Sequence, residues 1–395
     1  MAAPLKQHLI DPEICIRCYT CEMTCPEQAI EHDEMNVVVD AEKCRFCMDC
    51  IPVCPTGSID NWRVVQTPYS LEEQYSWEEL PEQAEIAGGA DEAPEAAEDV
   101  VARLLAEAHE GAGGRMHAPA SASKPTVNLY SLSNPVEAVV QGNWRITSAE
   151  SDSDVRLIIL DFQGRPFPVL EGQTLGIIPP GEDAQGRAHA PRLYSVSSPR
   201  DGERPGFHNV SLTVKREEGG VCSNYLCDLK PGERVRVTGP FGSTFLMPND
   251  PEARLLMICT GTGSAPMRAF TMARQRMVGP RPGHMVMFFG ARTPQTLPYF
   301  GPLKKLPPEL LEQHLVFSRL PGRPKEYVQD RMLAEEERVA EMLADPATHI
   351  YICGLRGMEA GVDAAFTSIA ESVGLSWPAL REVMREEGRF HVETY

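Results

Sequence analysis

The sequence predicts a multidomain chain, α+β at its start and α/β at its end. A small cysteine-rich module comes first, then an antiparallel β-barrel, then a parallel sheet flanked by helices. Three observations carry this. Eight of the 12 cysteines fall before residue 55. From about residue 126, short apolar runs alternate with Gly/Pro turns, which suits a small barrel. After Pro251, apolar strands alternate with helical stretches, the pattern of a parallel sheet. The 395 residues allow two to four such units at ~100–200 residues each.

Composition narrows the function. Hydrophobic residues make up 42% and charged residues 24%, an ordinary soluble balance. No run approaches the ~18 apolar residues of a membrane span. Acidic residues outnumber basic ones 56 to 37, for a net charge of −19; sequence-independent nucleic-acid binding needs the opposite sign. Residues 71–120 hold 13 Asp/Glu against Arg103 and Arg115, a local −11, as expected of a solvated linker. Met1-Ala-Ala-Pro-Leu-Lys6 is not followed by an apolar signal core, so a cytoplasmic location with reduced thiols is the expectation.

In the first segment, 1–65, the cysteines form two identical runs. Cys15, Cys18, Cys21 and Cys25 precede Pro26, and Cys44, Cys47, Cys50 and Cys54 precede Pro55. Each reads C-x2-C-x2-C-x3-C-P, offset by 29 residues. The same offset maps Asp11 onto Asp40, Glu13 onto Glu42 and Ile30 onto Ile59, an internal duplication. Three thiolates on one tight loop can cover three corners of an iron–sulfur cube, and in this pattern the fourth thiolate serves the other cluster. Cys15, Cys18, Cys21 and Cys54 are therefore assigned to one 4Fe-4S cluster. Cys44, Cys47, Cys50 and Cys25 are assigned to the second. Zinc sites pair two C-x2-C units instead. The segment resembles the bacterial two-cluster ferredoxins over residues 8–65, which implies a one-electron wire.

Residues 66–125 form the linker, rich in Ala, Glu and Gly. Within it Val100, Val101, Leu104, Leu105 and Ala108 recur at helical spacing before Gly111, so one short amphipathic helix is expected in a flexible tether.

Residues 126–248 form the barrel. Val155–Phe162 and Val210–Lys215 are strands, and Pro179-Pro-Gly181 and Pro231-Gly232 are turns. Arg192-Leu-Tyr194-Ser195 offers a strand arginine for a pyrophosphate and a tyrosine on the same face for a flat ring. Gly219-Gly220-Val221-Cys222-Ser223 opens a helix, where backbone N–H groups can approach a phosphate. Gly239-Pro-Phe-Gly242 closes the strand Arg234–Val237. Together these motifs resemble the plant-type branch of the ferredoxin–NADP reductase superfamily, most closely over Gly220–Gly232. The resemblance implies bound FAD, with Arg192 on its pyrophosphate, Tyr194 stacked on its ring, Ser195 near N5, and Gly220, Val221, Cys222 and Ser223 cradling phosphate.

Residues 249–395 form the nucleotide domain. The strand Arg254–Cys259 leads into Thr260-Gly261-Thr262-Gly263 and a helix, the layout of a dinucleotide site. Met285–Phe289 and His349–Cys353 are further strands. Ser318, Arg319, Lys325, Tyr327 and Gln329 supply two cations and two hydroxyls, which suit a 2′-phosphate and hence NADPH. The same resemblance places Cys353 beside the nicotinamide in Cys353-Gly354-Leu355-Arg-Gly-Met358. It makes Tyr395 a ring over the flavin that nicotinamide displaces, and Glu393 part of a hydrogen-bond network. One departure is Cys259, where plant-type members usually carry glycine.

NADPH would thus deliver two electrons to FAD, which feeds the clusters singly. The chain shows no paired Glu-x-x-His motifs for oxygen activation. As a whole it resembles the reductase components of benzoyl-CoA 2,3-epoxidase systems. That implies a bacterial cytosolic, homodimer-forming enzyme feeding a separate di-iron oxygenase in aromatic catabolism. A general NADPH–ferredoxin oxidoreductase and a non-catalytic electron-transfer subunit are the alternatives.

Overall fold

The 29-residue repeat in sequence is a repeat in backbone. A computed structural model of the chain describes residues 5–51, 53–59, 61–83, 96–112, 116–182, 186, 188–277, 284–299 and 305–395. Gly113, Gly114 and Arg115 of the expected linker lie outside the described residues. The Asp11 and Asp40 carbonyls accept from the N–H of Cys15 and Cys44 at 3.1 and 2.9 Å. Their carboxylates accept from the N–H of Glu13 and Glu42 at 3.0 and 2.9 Å. Left-handed backbone recurs at the same offset, at Arg17 and Phe46, Tyr19 and Met48, and Gln28 and Gly57. Such a conformation costs of order 1–3 kcal/mol at a non-glycine residue; here it bends each loop sharply between its cysteines. β1 (Leu5–Leu9) pairs antiparallel with β4 (Asn61–Val65), and β2 (Ile30–His32) with β3 (Val37–Val39). The short helix α1 (Thr20–Thr24) follows the first loop. Ile10, Ile30, Val37, Val39 and Ile59 form the core beneath them.

Residues 69–83, which the sequence reading puts in the linker, fold back onto this module. Ser70 and Glu73 form a capping box at the start of α2 (Leu71–Tyr75). Gln74 bonds both backbone groups of Val39, at 3.1 and 3.0 Å, and Gln83 bonds both of Val64 at 2.9 Å. The helix expected in the tether is α3 (Ala96–Ala108), followed by a 3-10 turn at Glu110–Ala112. The turn lies against the last strand of the chain.

The barrel comprises β5 (Val136–Arg145), β6 (Val155–Asp161), β7 (Thr174–Ile178), β8 (Arg192–Ser195), β9 (Val210–Lys215) and β10 (Arg234–Phe241). They form one antiparallel sheet in the order β8-β7-β10-β5-β6-β9. A bridge between Val196 and Leu212 brings the end of β8 onto β9. Val136, Ala138 and Val140 alternate inward along β5. α4 (Val221–Asp228) starts at Gly220 and buries Cys222, Leu226 and Cys227 against the same core.

The last unit carries β11 (Arg254–Thr260), α5 (Ser264–Arg276), β12 (Met285–Ala291), β13 (Glu312–Phe317), α6 (Val328–Ala334), α7 (Glu336–Ala344), β14 (Thr348–Gly354), α8 (Glu359–Ser372), α9 (Trp377–Glu386) and β15 (Phe390–Thr394). The strands run parallel in the order β13-β12-β11-β14-β15. Alternate residues of β11 feed two cores: Leu256 and Ile258 on one face, Leu255, Met257 and Cys259 on the other. Strand order reverses between β11 and β14, which opens a crevice at their carboxyl ends, where ligands bind in such sheets. Among the described residues no helix is long and apolar enough to cross a membrane.

Candidate redox site

Six of the eight N-terminal cysteines gather around one small core. Cys21, Cys50 and Cys54 are buried, with Cys15, Cys25 and Cys44 packed around the same small core. Burial, then the neighbouring Cys54, Cys15 and Cys18, push the Cys21 thiol up to about 12. Burial and then Cys44, Cys21, Cys47 and Cys25 push Cys50 up as well. Each run is thus in electrostatic contact with the last cysteine of the other. Burial works against the Cys54 thiolate, but Ser58 and the Ile59 and Thr56 N–H groups outweigh it and hold the thiol below its usual value. The Ala29 N–H donates to Cys25 Sγ at 3.3 Å. Donors of this kind stabilise sulfur ligands and tune cluster potential. Among the described residues no three His, Cys, Asp or Glu side chains close on a single-ion site. A cubane takes its thiolates at the corners of a cube, so the donor set fits a cluster better than a lone zinc ion.

Around the flavin motif, Arg192 is exposed, while Tyr194 and Ser195 are half-buried on β8. Tyr194 packs on the barrel core, and burial, then the adjacent Cys222, push its hydroxyl up. The first turn of α4 holds no acidic residue. Ser223 Oγ accepts the Glu217 N–H at 3.2 Å and the Gly220 N–H donates to the Glu217 carbonyl at 3.1 Å, so the turn is held in place at the start of α4, the end of a helix that suits an anion.

The crevice of the parallel sheet is where the two domains meet. Only glycine fits at 263: a Cβ there would lie 2.1 Å from the Cys353 carbonyl oxygen. At Gly354, with φ +143, a Cβ would lie 2.4 Å from Thr260 Oγ1. Thr260 Oγ1 accepts the Leu355 N–H at 3.1 Å and donates to Met358 Sδ at 3.4 Å. In the ladder Cys259 lies beside Cys353, and Cys353 beside Glu393. Burial, then Glu393 and Cys259, push the Cys353 thiol well up, which keeps it neutral. The Tyr395 N–H donates to the Gly354 carbonyl at 3.0 Å, and its hydroxyl meets Thr262 Oγ1 at 2.5 Å. The residue as a whole is nonetheless exposed, although burial pushes its hydroxyl well up. Ser195 Oγ donates to Glu393 Oε2 at 3.3 Å. Ser195, Cys353, Glu393 and Tyr395, spread over 200 residues of sequence, therefore share one cleft.

A residue absent from the sequence reading joins them. His109, just past α3, meets Glu393 Oε1 at 3.3 Å. Its only sequence signal is a histidine between the apolar stripe of a helix and the Gly111 stop.

At the far edge of the sheet, the Ser318 and Arg319 N–H groups donate to the Ala291 and Arg292 carbonyls at 3.0 and 2.8 Å. Tyr327 caps α6, its N–H donating to Asp330 at 2.8 Å, and is itself exposed. Arg319 and Lys325 are exposed, as is Arg323 between them, a third cation that sequence reading passed over. Gln329 is half-buried and lies against Gly361 of α8.

Comparison with known proteins agrees with this geometry. Residues 14–58 match the 4Fe-4S dicluster domain, residues 171–245 the oxidoreductase FAD-binding domain, and residues 257–364 the oxidoreductase NAD-binding domain. A ferredoxin–NADP reductase of Thermosynechococcus vestitus is 37% identical over 313 residues, covering 74% of this chain and 81% of that protein. The cyanelle ferredoxin–NADP reductase of Cyanophora paradoxa is 39% identical, covering 68% and 79%. A structure of ferredoxin–NADP+ reductase from Plasmodium falciparum shares the fold at a TM-score of 0.54 and 24% identity, covering 68% of this chain and 99% of that one.

Proposed function

The chain belongs to the ferredoxin–NADP reductase family, and from that premise we propose that it is the reductase component of a benzoyl-CoA 2,3-epoxidase system, passing electrons to a separate di-iron oxygenase in the bacterial cytoplasm. The coarser activity is that of an NADPH-dependent FAD oxidoreductase with its own 4Fe-4S dicluster domain. When bound, FAD supplies the conversion of a two-electron hydride into single electrons. The chain's own residues do the rest. Arg192 and the Gly220–Ser223 turn would hold the pyrophosphate, and Tyr194 would stack on the ring. Ser195 and Glu393 supply a hydroxyl and a carboxylate to the reacting edge. Cys353, Gly354, Leu355 and Met358 would line the nicotinamide slot, and Tyr395 would compete for it. Thr260, Gly261, Thr262 and Gly263 face the nucleotide pyrophosphate, and Ser318, Arg319, Lys325, Tyr327 and Gln329 its 2′-phosphate.

One observation carries the finer reading: the wire is built into the reductase. A family member that already holds its one-electron carrier needs a terminal consumer rather than a free ferredoxin. Cys18 and Cys47 are both exposed, but Cys47, Met48 and Asp49 line a cavity with Arg200 and Arg276 of the reductase, and Phe46 of the same loop sets its edge against His208. We place the cluster of Cys44, Cys47, Cys50 and Cys25 on the reductase side and that of Cys15, Cys18, Cys21 and Cys54 at the exit. The test is reconstitution with a di-iron oxygenase. NADPH oxidation should couple to benzoyl-CoA consumption and to oxygen uptake. Fast turnover with many unrelated acceptor proteins and none with the oxygenase would favour a general NADPH–ferredoxin oxidoreductase, the activity after which the curated relatives are named.

A further inference from the structure

We propose that His109 is the outer member of a proton path out of the flavin cleft, held in place by the docked end of the linker helix. The proposal rests on the cleft reading above and adds a residue that the cleft's own two domains do not supply. Glu393 bridges inward to Ser195 and outward to His109, each at 3.3 Å. Its side chain is only 8% exposed, whereas that of His109 is 23% exposed. The carboxylate has little direct access to water, and the imidazole has it.

The histidine is not there by chance approach of a loose segment. Arg356 donates to the Glu107 carbonyl at 2.8 Å and pairs with Glu110 at 3.4 Å. The N–H of the same arginine donates to the Tyr395 carbonyl at 3.2 Å. One residue, through its side chain and its backbone N–H, thus ties the end of α3 to Tyr395. The turn after His109 is fitted closely too: a Cβ on Gly111 would overlap the Glu359 carboxylate, which also bonds Thr394. The charged and titratable groups facing His109 are Glu393 and His391 from β15, Arg356 after β14, Glu110 on its own turn and Glu359 from α8.

The chemistry requires such a path. A hydride is a proton and two electrons. NADPH gives up one hydride and becomes NADP+, and two electrons leave one at a time through the clusters. One proton per hydride must therefore leave a cleft whose thiol, Cys353, is kept neutral and buried. Ser195 Oγ passes it to Glu393, Glu393 to His109 Nε2, and the imidazole releases a proton to solvent from its other nitrogen. Histidine is the side chain suited to this near neutral pH.

The test uses anaerobic holoenzyme with FAD and both clusters intact. Single-turnover NADPH oxidation and proton release to an indicator dye are followed from pH 5 to 9. His109→Gln retains a hydrogen-bond donor to Glu393 but cannot relay a proton. It should keep FAD content and thermal midpoint, slow proton release and cluster reduction by roughly tenfold, and flatten the pH dependence between about 5 and 8. His109→Ala should be slowed as well and partly rescued by added imidazole. A His109→Gln protein with the parent's proton-release rate and pH profile overturns the proposal. Ser195→Ala separates the two levels: if it leaves NADPH-driven flavin reduction unchanged, the cleft reading itself falls.

Discussion

A 2′-phosphate brings two negative charges, and the edge of the sheet offers it Arg319, Arg323 and Lys325, all exposed and none paired with a carboxylate among the described residues. Arg319→Ala should weaken NADPH by ~1.5–3 kcal/mol, the worth of a hydrogen bond to a charged group, and leave NADH nearly untouched. Steady-state kinetics with both nucleotides decide it; equal loss would assign Arg319 to folding. Tyr395 makes the opposite kind of contribution. Its stacking is worth ~0.5–1.5 kcal/mol beyond burial, enough to resist nicotinamide and little enough to yield to it. In Tyr395→Ser, nicotinamide should occupy the slot more readily. Discrimination between NADPH and NADH should fall, and a long-wavelength charge-transfer band should grow on adding NADP+. Unchanged spectra and nucleotide preference would retire Tyr395 as a gate. At this scale the sequence was informative where a motif is local: eight cysteines, an R-x-Y-S strand, a glycine turn. His109 escaped because its partner Glu393 is 284 residues away in sequence, and Arg323 because nothing local distinguishes it from an ordinary surface charge.

Elements were legible where periodicity is strong. Three strands of the parallel sheet, β11, β12 and β14, and the tether helix announce themselves, and β13 and β15 do not. β15 has only five residues, ends the chain, and becomes a strand because β14 offers it an open edge. That pairing brings Glu393 beside Cys353 and buries two histidines. His391 stacks on Tyr351 at 4.6 Å, and burial, then His349, hold it down to about 3. Burial, then Arg389 and Arg274, hold His349 down to about 4. Both folded values lie below the unfolded value of 6.5. The unfolded chain therefore takes up two protons that the fold excludes. Their stabilisation is complete above pH 6.5 and is lost as pH falls towards 4, at ~2.7 kcal/mol per pH unit for two protons. His391→Phe keeps a stacked ring without the proton and should lower the overall slope by one proton's share, ~1.4 kcal/mol per pH unit, measured as the unfolding midpoint between pH 4.5 and 6.5, while buried His8, held down to about 3, keeps contributing its own. An unchanged slope would mean that His391 is not the acid-sensitive group.

Across the whole molecule, the wire and the reductase are joined by a buried seam rather than by the tether alone. Gly57 abuts Ser121 and Asn249, Phe46 sets its edge against His208 at 6.3 Å, and Thr126 bonds the Trp62 carbonyl at 3.5 Å. At the centre lies a cavity of about 360 Å³ beside the Arg200–Glu171 ion pair, 2.5 Å long and almost wholly buried. The Cys47 loop reaches that cavity next to Ala273 and Arg276 at one end of α5, while the flavin cleft is at the other end, one helix length or ~20 Å away. The segment from Ser195 through Pro199–Asp201 to His208 spans the two. Composition alone could not show this seam, because its residues are ordinary polar groups whose meaning comes from who buries them. The crossed ligand sets make its function separable. In Cys54→Ser the exit cluster loses a thiolate although Cys15, Cys18 and Cys21 are intact, and the reductase-side cluster keeps all four of its own. NADPH should still reduce the flavin and a small dye. The magnetic coupling between two reduced clusters should vanish from the electron paramagnetic resonance spectrum, leaving one uncoupled signal, and reduction of a protein acceptor should drop to background. If acceptor reduction survives, electrons leave from the Cys44–Cys47–Cys50–Cys25 cluster and the order of the path is reversed. If both cluster signals disappear together, the two runs fold as one unit around both cubes.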